Sequence, residues 1–112
     1  MKIISILDKI EYRDGRPSVE LLLENNSVKE FRIVFDQGQQ MKKHESQFPI
    51  VVHIIKGIID FGFVNERHIL KQGALVALEA NIPHDLIAIE RSIVRLSIHK
   101  GSKDQAKSGI GV

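Results

Sequence analysis

The chain has 112 residues, of which 43% are hydrophobic, 27% charged and only 5% aromatic, so we expect one globular domain with an aliphatic core. The net charge is +2 and basic residues are scattered among nearly as many acidic ones, which excludes the basic patch that nucleic-acid binding needs. Without cysteine there are no disulfides or thiolates, and no apolar run approaches the ~20 residues of a membrane span. We expect a cytoplasmic protein with no nucleic-acid or membrane partner.

Turn-forming residues divide the first third of the chain into three predicted strands. β-branched residues predict a strand at 2–7, and the Asp-Gly and Pro residues of 13–17 predict a turn. A second strand is predicted at 19–23. After an asparagine turn, a third follows at 28–35, where large apolar residues alternate along one face.

The middle of the chain contains the most apolar predicted strand. Residues 36–43 are polar and are predicted to form a loop, whereas 50–55 are apolar at every position except His53. Neither face of that strand can be left in water, so it is predicted to be central and covered on both sides. Five more strands are predicted, at residues 58–64, 67–70, 74–78, 84–89 and 93–98.

Nothing in the chain has a helical period long enough to predict a helix. About ten short strands separated by turns indicate an all-β protein, and we predict an antiparallel jelly-roll barrel formed by residues 1–99 as a single domain. Residues 100–112 lack periodicity and are predicted to be a flexible tail.

Two glycine-led stretches contain the histidines that are candidates for chemistry. The first, residues 38–57, contains His44, and the second, residues 73–88, contains His84. Two imidazoles from separate strands are the usual nucleus of a metal site or of a polar anchor in a pocket.

These stretches resemble the two motifs of the cupin superfamily, and the chain is similar to a small, single-domain, RmlC-like jelly roll. The positions that match the motifs are Gly38, His44, Gly57, Gly73 and His84. In the first motif, Ser46 stands where a second histidine belongs, and Ile50 stands where the glutamate belongs. In the second motif, the departures are Glu79, Asn81 and Ala88.

The resemblance implies two alternatives for the site. Metal-binding cupins generally use two histidines, a glutamate and a third histidine, so a divalent transition metal here would be held by His44 and His84 alone. In the other alternative no cofactor is bound, and His44, Ser46, Ile50 and His84 line a metal-free pocket for a small molecule. Strand parity places Glu45 on the opposite face from His44, and it also places Asp85 away from His84.

Three functions remain open at this point: a small-molecule-binding cupin, a metal-dependent enzyme of the oxygenase, isomerase or lyase type, and a dimerising structural module. Whether a reaction is catalysed is left undecided. A homodimer is predicted because residues 50–55 are apolar on both faces, and only one of these faces fills the barrel.

Overall fold

A computed structural model describes residues 1–101 of the chain. Within that range there are nine strands and no helix, and hence no helix long and apolar enough to cross a bilayer. The strands are β1 (Ser18–Glu24), β2 (Val28–Phe35), β3 (Gln40–His44), β4 (Ile50–Lys56), β5 (Ile58–Phe63), β6 (Glu66–Lys71), β7 (Leu75–Leu78), β8 (His84–Ala88) and β9 (Ser92–His99).

The strands form two antiparallel sheets. The five-stranded sheet has the order β1-β2-β9-β4-β7, and the four-stranded sheet has the order β3-β8-β5-β6. Strands that follow one another in sequence repeatedly change sheet, as between β4 and β5 and between β8 and β9. The all-β antiparallel jelly roll predicted from the sequence is therefore confirmed.

The core lies between the two sheets and is aliphatic with two phenylalanines. Ile50, Val52 and Ile54 of β4 are buried there, and from the other sheet Ile59 and Phe61 of β5 pack in the same cluster. Burial of each such side chain contributes about 1.5 to 3 kcal/mol. Because every second residue of β4 enters this core, Val51, His53 and Ile55 lie on the outer face, where they are half-buried.

The strand predicted at residues 2–7 is wrong. This segment forms no ladder but lies against the outer face of the five-stranded sheet, where the Arg32 guanidinium donates to the carbonyl oxygens of Ile6, at 2.9 Å, and Asp8, at 2.7 Å. Arg32 is 3% exposed and also pairs with Glu20 at 2.8 Å. β-branched content favours a strand, but here a buried arginine satisfies the backbone instead of a neighbouring strand.

The loop predicted at residues 36–43 is only partly correct, because Gln40–His44 forms β3. This strand is at the edge of the four-stranded sheet and pairs with β8, with a register irregularity between Met41 and His44. Its side chains are mostly exposed, so the sequence shows no apolar alternation there.

The flexible tail predicted for residues 100–112 lies, from residue 102 onward, outside the described residues. Lys100 itself is anchored. Its backbone N–H donates to the Ser27 carbonyl at 2.9 Å, and its ammonium pairs with Glu24 at 3.0 Å.

Candidate functional site

The two motif histidines face each other across neighbouring strands. His44, the last residue of β3, is the register partner of His84, the first residue of β8, and their ring centroids are 4.5 Å apart at an angle of 58°. His84 is 4% exposed, whereas His44 is open to solvent. The sequence motifs lie about forty positions apart along the chain, and pairing of β3 with β8 brings them together.

Both imidazoles are fixed by the same kind of hydrogen bond. His44 Nδ1 lies 2.7 Å from the carbonyl oxygen of Lys42, and His84 Nδ1 lies 2.9 Å from that of Ile82. A carbonyl oxygen only accepts, so in each ring Nδ1 carries the proton and donates. In the neutral form of each ring, Nε2 is then an acceptor with a free lone pair.

Burial sets the protonation state of His84. Its ring stacks on Phe61, with centroids 5.9 Å apart and an interplanar angle of 19°. Loss of solvent around the ring lowers the pKa of His84 below 6.5; the Ile82 carbonyl opposes this lowering and the neighbouring His44 adds to it. At neutral pH His84 is therefore uncharged and presents an acceptor.

The histidines lie in the wall of a solvent-open cavity of about 320 Å³ that is lined by residues of both sheets. The four residues assigned to the pocket from the sequence, His44, Ser46, Ile50 and His84, all line it. The remaining lining residues are Val19, Phe31, Ile33, Met41, Glu45, Leu96 and Ile98. Within residues 1–101, the wall of the cavity is thus aliphatic and aromatic apart from four polar residues, His44, Glu45, Ser46 and His84.

Glu45, which strand parity predicts to face away from His44, is also among the residues that line this cavity. Parity is a weak guide at this position because β3 ends at His44 and its register is irregular just before that residue. Asp85, in contrast, faces away as predicted, since its carboxylate pairs with Arg67 at 2.8 Å on the outer side of the sheet.

Ser46 connects the cavity mouth to the loop that precedes β8. Its carbonyl oxygen accepts from the Asn81 N–H at 2.7 Å, and its hydroxyl oxygen accepts from the Phe48 N–H at 3.1 Å. Asn81 has a φ of 63°, a left-handed conformation that asparagine tolerates. These bonds hold both histidine-bearing segments in one arrangement and leave the Ser46 hydroxyl proton free to donate.

The cupin resemblance implies a metal, but the described side chains around the two histidines provide too few ligands to hold one. Among residues 1–101 no three His, Cys, Asp or Glu side chains come together in a way that would hold a metal ion. Ile50, 3% exposed, stands in the cavity wall where the resemblance expects a carboxylate. Two imidazoles are fewer than the three protein ligands of typical catalytic metal sites, so the residues present do not fit a resident metal.

No protein-family model matches the chain, and no curated protein matches it significantly. Solved structures do match. An RmlC-like cupin from Desulfovibrio desulfuricans has a TM-score of 0.82 at 22% identity, covering 88% of this chain and 96% of that one. A conserved protein with a double-stranded β-helix domain from Klebsiella pneumoniae has a TM-score of 0.81 at 19% identity, covering 91% and 92% of the two chains.

A third similar structure is that of KdgF from a Halomonas species, with a TM-score of 0.74 at 17% identity, covering 88% of this chain and 94% of that one. Identities this low show a shared architecture and nothing about activity. The chain therefore has the double-stranded β-helix fold of the RmlC-like cupins, and the resemblance stated from the motifs is confirmed at the level of the fold.

Proposed function

We propose that the protein binds a small molecule inside its barrel, with His44 and His84 as the polar anchors. The observation that carries this proposal is the pair of Nε2 atoms, each opposite an Nδ1 that is bound to a backbone carbonyl, in the wall of a predominantly apolar cavity. Ligand pockets in proteins are usually apolar with a few convergent polar groups that fix the orientation of the ligand.

The arrangement favours a ligand with an apolar body and a head group that donates hydrogen bonds. The body would replace water against the aliphatic walls, and the head would donate to Nε2 of His44 and His84. A ligand donor that replaces water at Nε2 of His84 would form a hydrogen bond with a net worth of about 0.5 to 1.5 kcal/mol. Ser46 adds a hydroxyl at the same end of the cavity.

A metal-dependent enzyme of the oxygenase, isomerase or lyase type is the alternative, and the presence of both histidines at their motif positions favours it. The donor set described above argues against it, because the position of the carboxylate is occupied by Ile50. Elemental analysis of protein purified without added metal or chelator tests the alternative. Stoichiometric iron, manganese, nickel or zinc would favour the metal-dependent enzyme over the metal-free binding protein.

Binding is tested by titrating the protein with 1-hexanol and following the histidine ring resonances by NMR. We expect the resonances of His44 and His84 to shift together, and replacement of either residue by phenylalanine to abolish saturable binding. His68→Phe is the matched control, because His68 lies on the exposed strand β6 and pairs with Glu66 there. Saturable binding that survives both site substitutions would refute the proposal.

The homodimer also belongs to this proposal. The N-terminal segment lies over the outer face of the five-stranded sheet and borders a cavity with Ile55 of β4, whereas Leu75 on the edge strand β7 is 66% exposed beside the half-buried His53. A second copy that covers this apolar edge accounts for the apolar outer face of β4. Light scattering at micromolar concentration tests it, and a monomer mass would contradict it.

A further inference from the structure

We infer that the pocket selects ligands with a cationic, hydrogen-bond-donating head, an amine in its ammonium form, and that Glu45 determines this specificity. The inference rests on the proposed function, because it concerns the same cavity. It goes beyond that function because it specifies the charge of the ligand's head group and the residue that selects for this charge.

The first argument is the charge of the cavity wall. Glu45 is the one charged side chain among the lining residues of the described chain, and no lysine or arginine is among them. Lys43 lines a different depression, on the far side of His84 and beside Arg67 and Asp85. The ion pairs of residues 1–101 also leave Glu45 out, so its carboxylate is available to a ligand.

The second argument is the direction of the hydrogen bonds. Both Nδ1 protons are already donated to backbone carbonyls, so each imidazole in its neutral form offers the ligand only an Nε2 acceptor. A carboxylate or phosphate head has acceptors alone and would face these lone pairs and the Glu45 carboxylate. A hydroxyl donates one hydrogen bond. An ammonium group donates several and carries the charge opposite to that of Glu45.

The third argument is size. A cavity of about 320 Å³ is near the lower end of the range for ligand pockets, roughly 300 to 1,000 Å³. The predominantly aliphatic walls suit a short alkyl or aryl body rather than a sugar or a nucleotide. The chemical class is therefore a small primary amine with an apolar body.

The experiment compares three probes of equal chain length, hexylammonium, 1-hexanol and hexanoate, by isothermal titration calorimetry near neutral pH and at low salt. We expect hexylammonium to bind roughly fivefold more tightly than hexanol, as for a partly exposed ion pair, and hexanoate to bind at least about tenfold more weakly than hexanol. Because an exposed pair is screened, the preference for the ammonium should shrink as salt is added.

Glu45→Gln should reduce the ammonium-to-alcohol ratio to about one to twofold, because the amide keeps the shape and removes the charge. Glu79→Gln is the matched control: Glu79 is an exposed carboxylate in the loop before β8 that does not line the cavity, and its substitution should leave the ratio unchanged.

The outcomes separate the inference from the proposed function. Equal binding of ammonium and alcohol, tighter binding of hexanoate, or a ratio that survives Glu45→Gln would overturn the inference. If hexanol binding is still lost in His84→Phe in those cases, the proposed function stands. Absence of histidine-dependent binding by all three probes would overturn both.

Discussion

Substitution of Gly57 by alanine should destabilise the fold far more than the same change at another motif glycine. Gly57 is the single residue between β4 and β5, where the chain passes from one sheet to the other, and its φ is +96°. A Cβ atom there would overlap Ser92 Oγ and the Arg91 carbonyl oxygen and would lie 2.7 Å from Ser92 Cα. Two of these three atoms are backbone, so a side-chain rotation cannot relieve the overlap.

The cost has three parts. A left-handed alanine costs about 1 to 2 kcal/mol, and overpacking against a buried segment costs about 1 to 3 kcal/mol. Ser92 is fully buried and accepts from the Ile58 N–H at 3.1 Å and donates to the Glu90 carbonyl at 2.8 Å. Loss of one of these two bonds adds about 1 kcal/mol. We therefore expect a loss of about 3 to 6 kcal/mol, a large part of the ~5 to 15 kcal/mol stability of a typical domain.

Gly73→Ala is the matched control. Gly73 has nearly the same conformation, with a φ of +93°, but a Cβ atom there would meet nothing within 4 Å. It should lose only the conformational part, about 1 to 2 kcal/mol. Urea denaturation followed by far-UV circular dichroism measures both variants, since the chain has no tryptophan. If Gly57→Ala loses no more stability than Gly73→Ala, the steric reasoning is refuted.

Three further predictions concern the site and its support. Ile50→Glu should raise divalent-metal affinity in equilibrium dialysis while lowering stability by several kcal/mol, because a carboxylate is buried; unchanged affinity would show that the histidines are not placed to share a metal. Because the pKa of His84 is lowered, the unfolded chain takes up a proton near pH 6.5 before the folded one does. Stability should thus fall as pH drops below ~6.5, and His84→Phe should flatten that part of the profile; an unchanged slope would contradict this. Arg32→Met removes the donor to the carbonyls of Ile6 and Asp8, so hydrogen exchange and proteolysis near the N-terminus should accelerate, and unaltered protection would count against it.

The central strands were predictable from the sequence because burial dictates their composition. The predicted strand at 50–55 is β4, and the one at 28–35 has the bounds of β2. Both lie inside the five-stranded sheet, where a polar residue in the core position would be costly, so the apolar pattern is continuous or cleanly alternating.

The two errors in strand prediction occur at the periphery, where solvent relaxes that constraint. Gln40–His44 is an edge strand whose pairing with β8 is specified by backbone hydrogen bonds rather than by buried side chains. Residues 2–7 have strand-like composition, but the segment is held by Arg32, which donates to the carbonyls of Ile6 and Asp8 from 24 to 26 positions further along the chain. A single-sequence pattern contains no signal for such a long-range side-chain contact.

The site was predictable to the extent that it depends on motif spacing. Pairing of His44 with His84, together with Ser46 and Ile50 in the same wall, follows from where the motif glycines and histidines fall. The expectation that Glu45 faces away from His44 extends strand parity past the residue where β3 ends, and the sequence contains no signal for that end.

Under the proposed function, the presence of Ile50 in place of a carboxylate determines what the two histidines bind. Donation from Nδ1 to a backbone carbonyl orients an imidazole equally well for a metal or for a ligand proton, since both approach the free Nε2. A neighbouring carboxylate would stabilise a cation shared between the rings. A buried isoleucine provides no such ligand, and burial of the His84 ring lowers its pKa, so that its Nε2 is an acceptor at neutral pH. Under the proposed function, the polar end of the cavity then favours a ligand head that donates hydrogen bonds, and Glu45, which also lines the cavity, favours a head with positive charge.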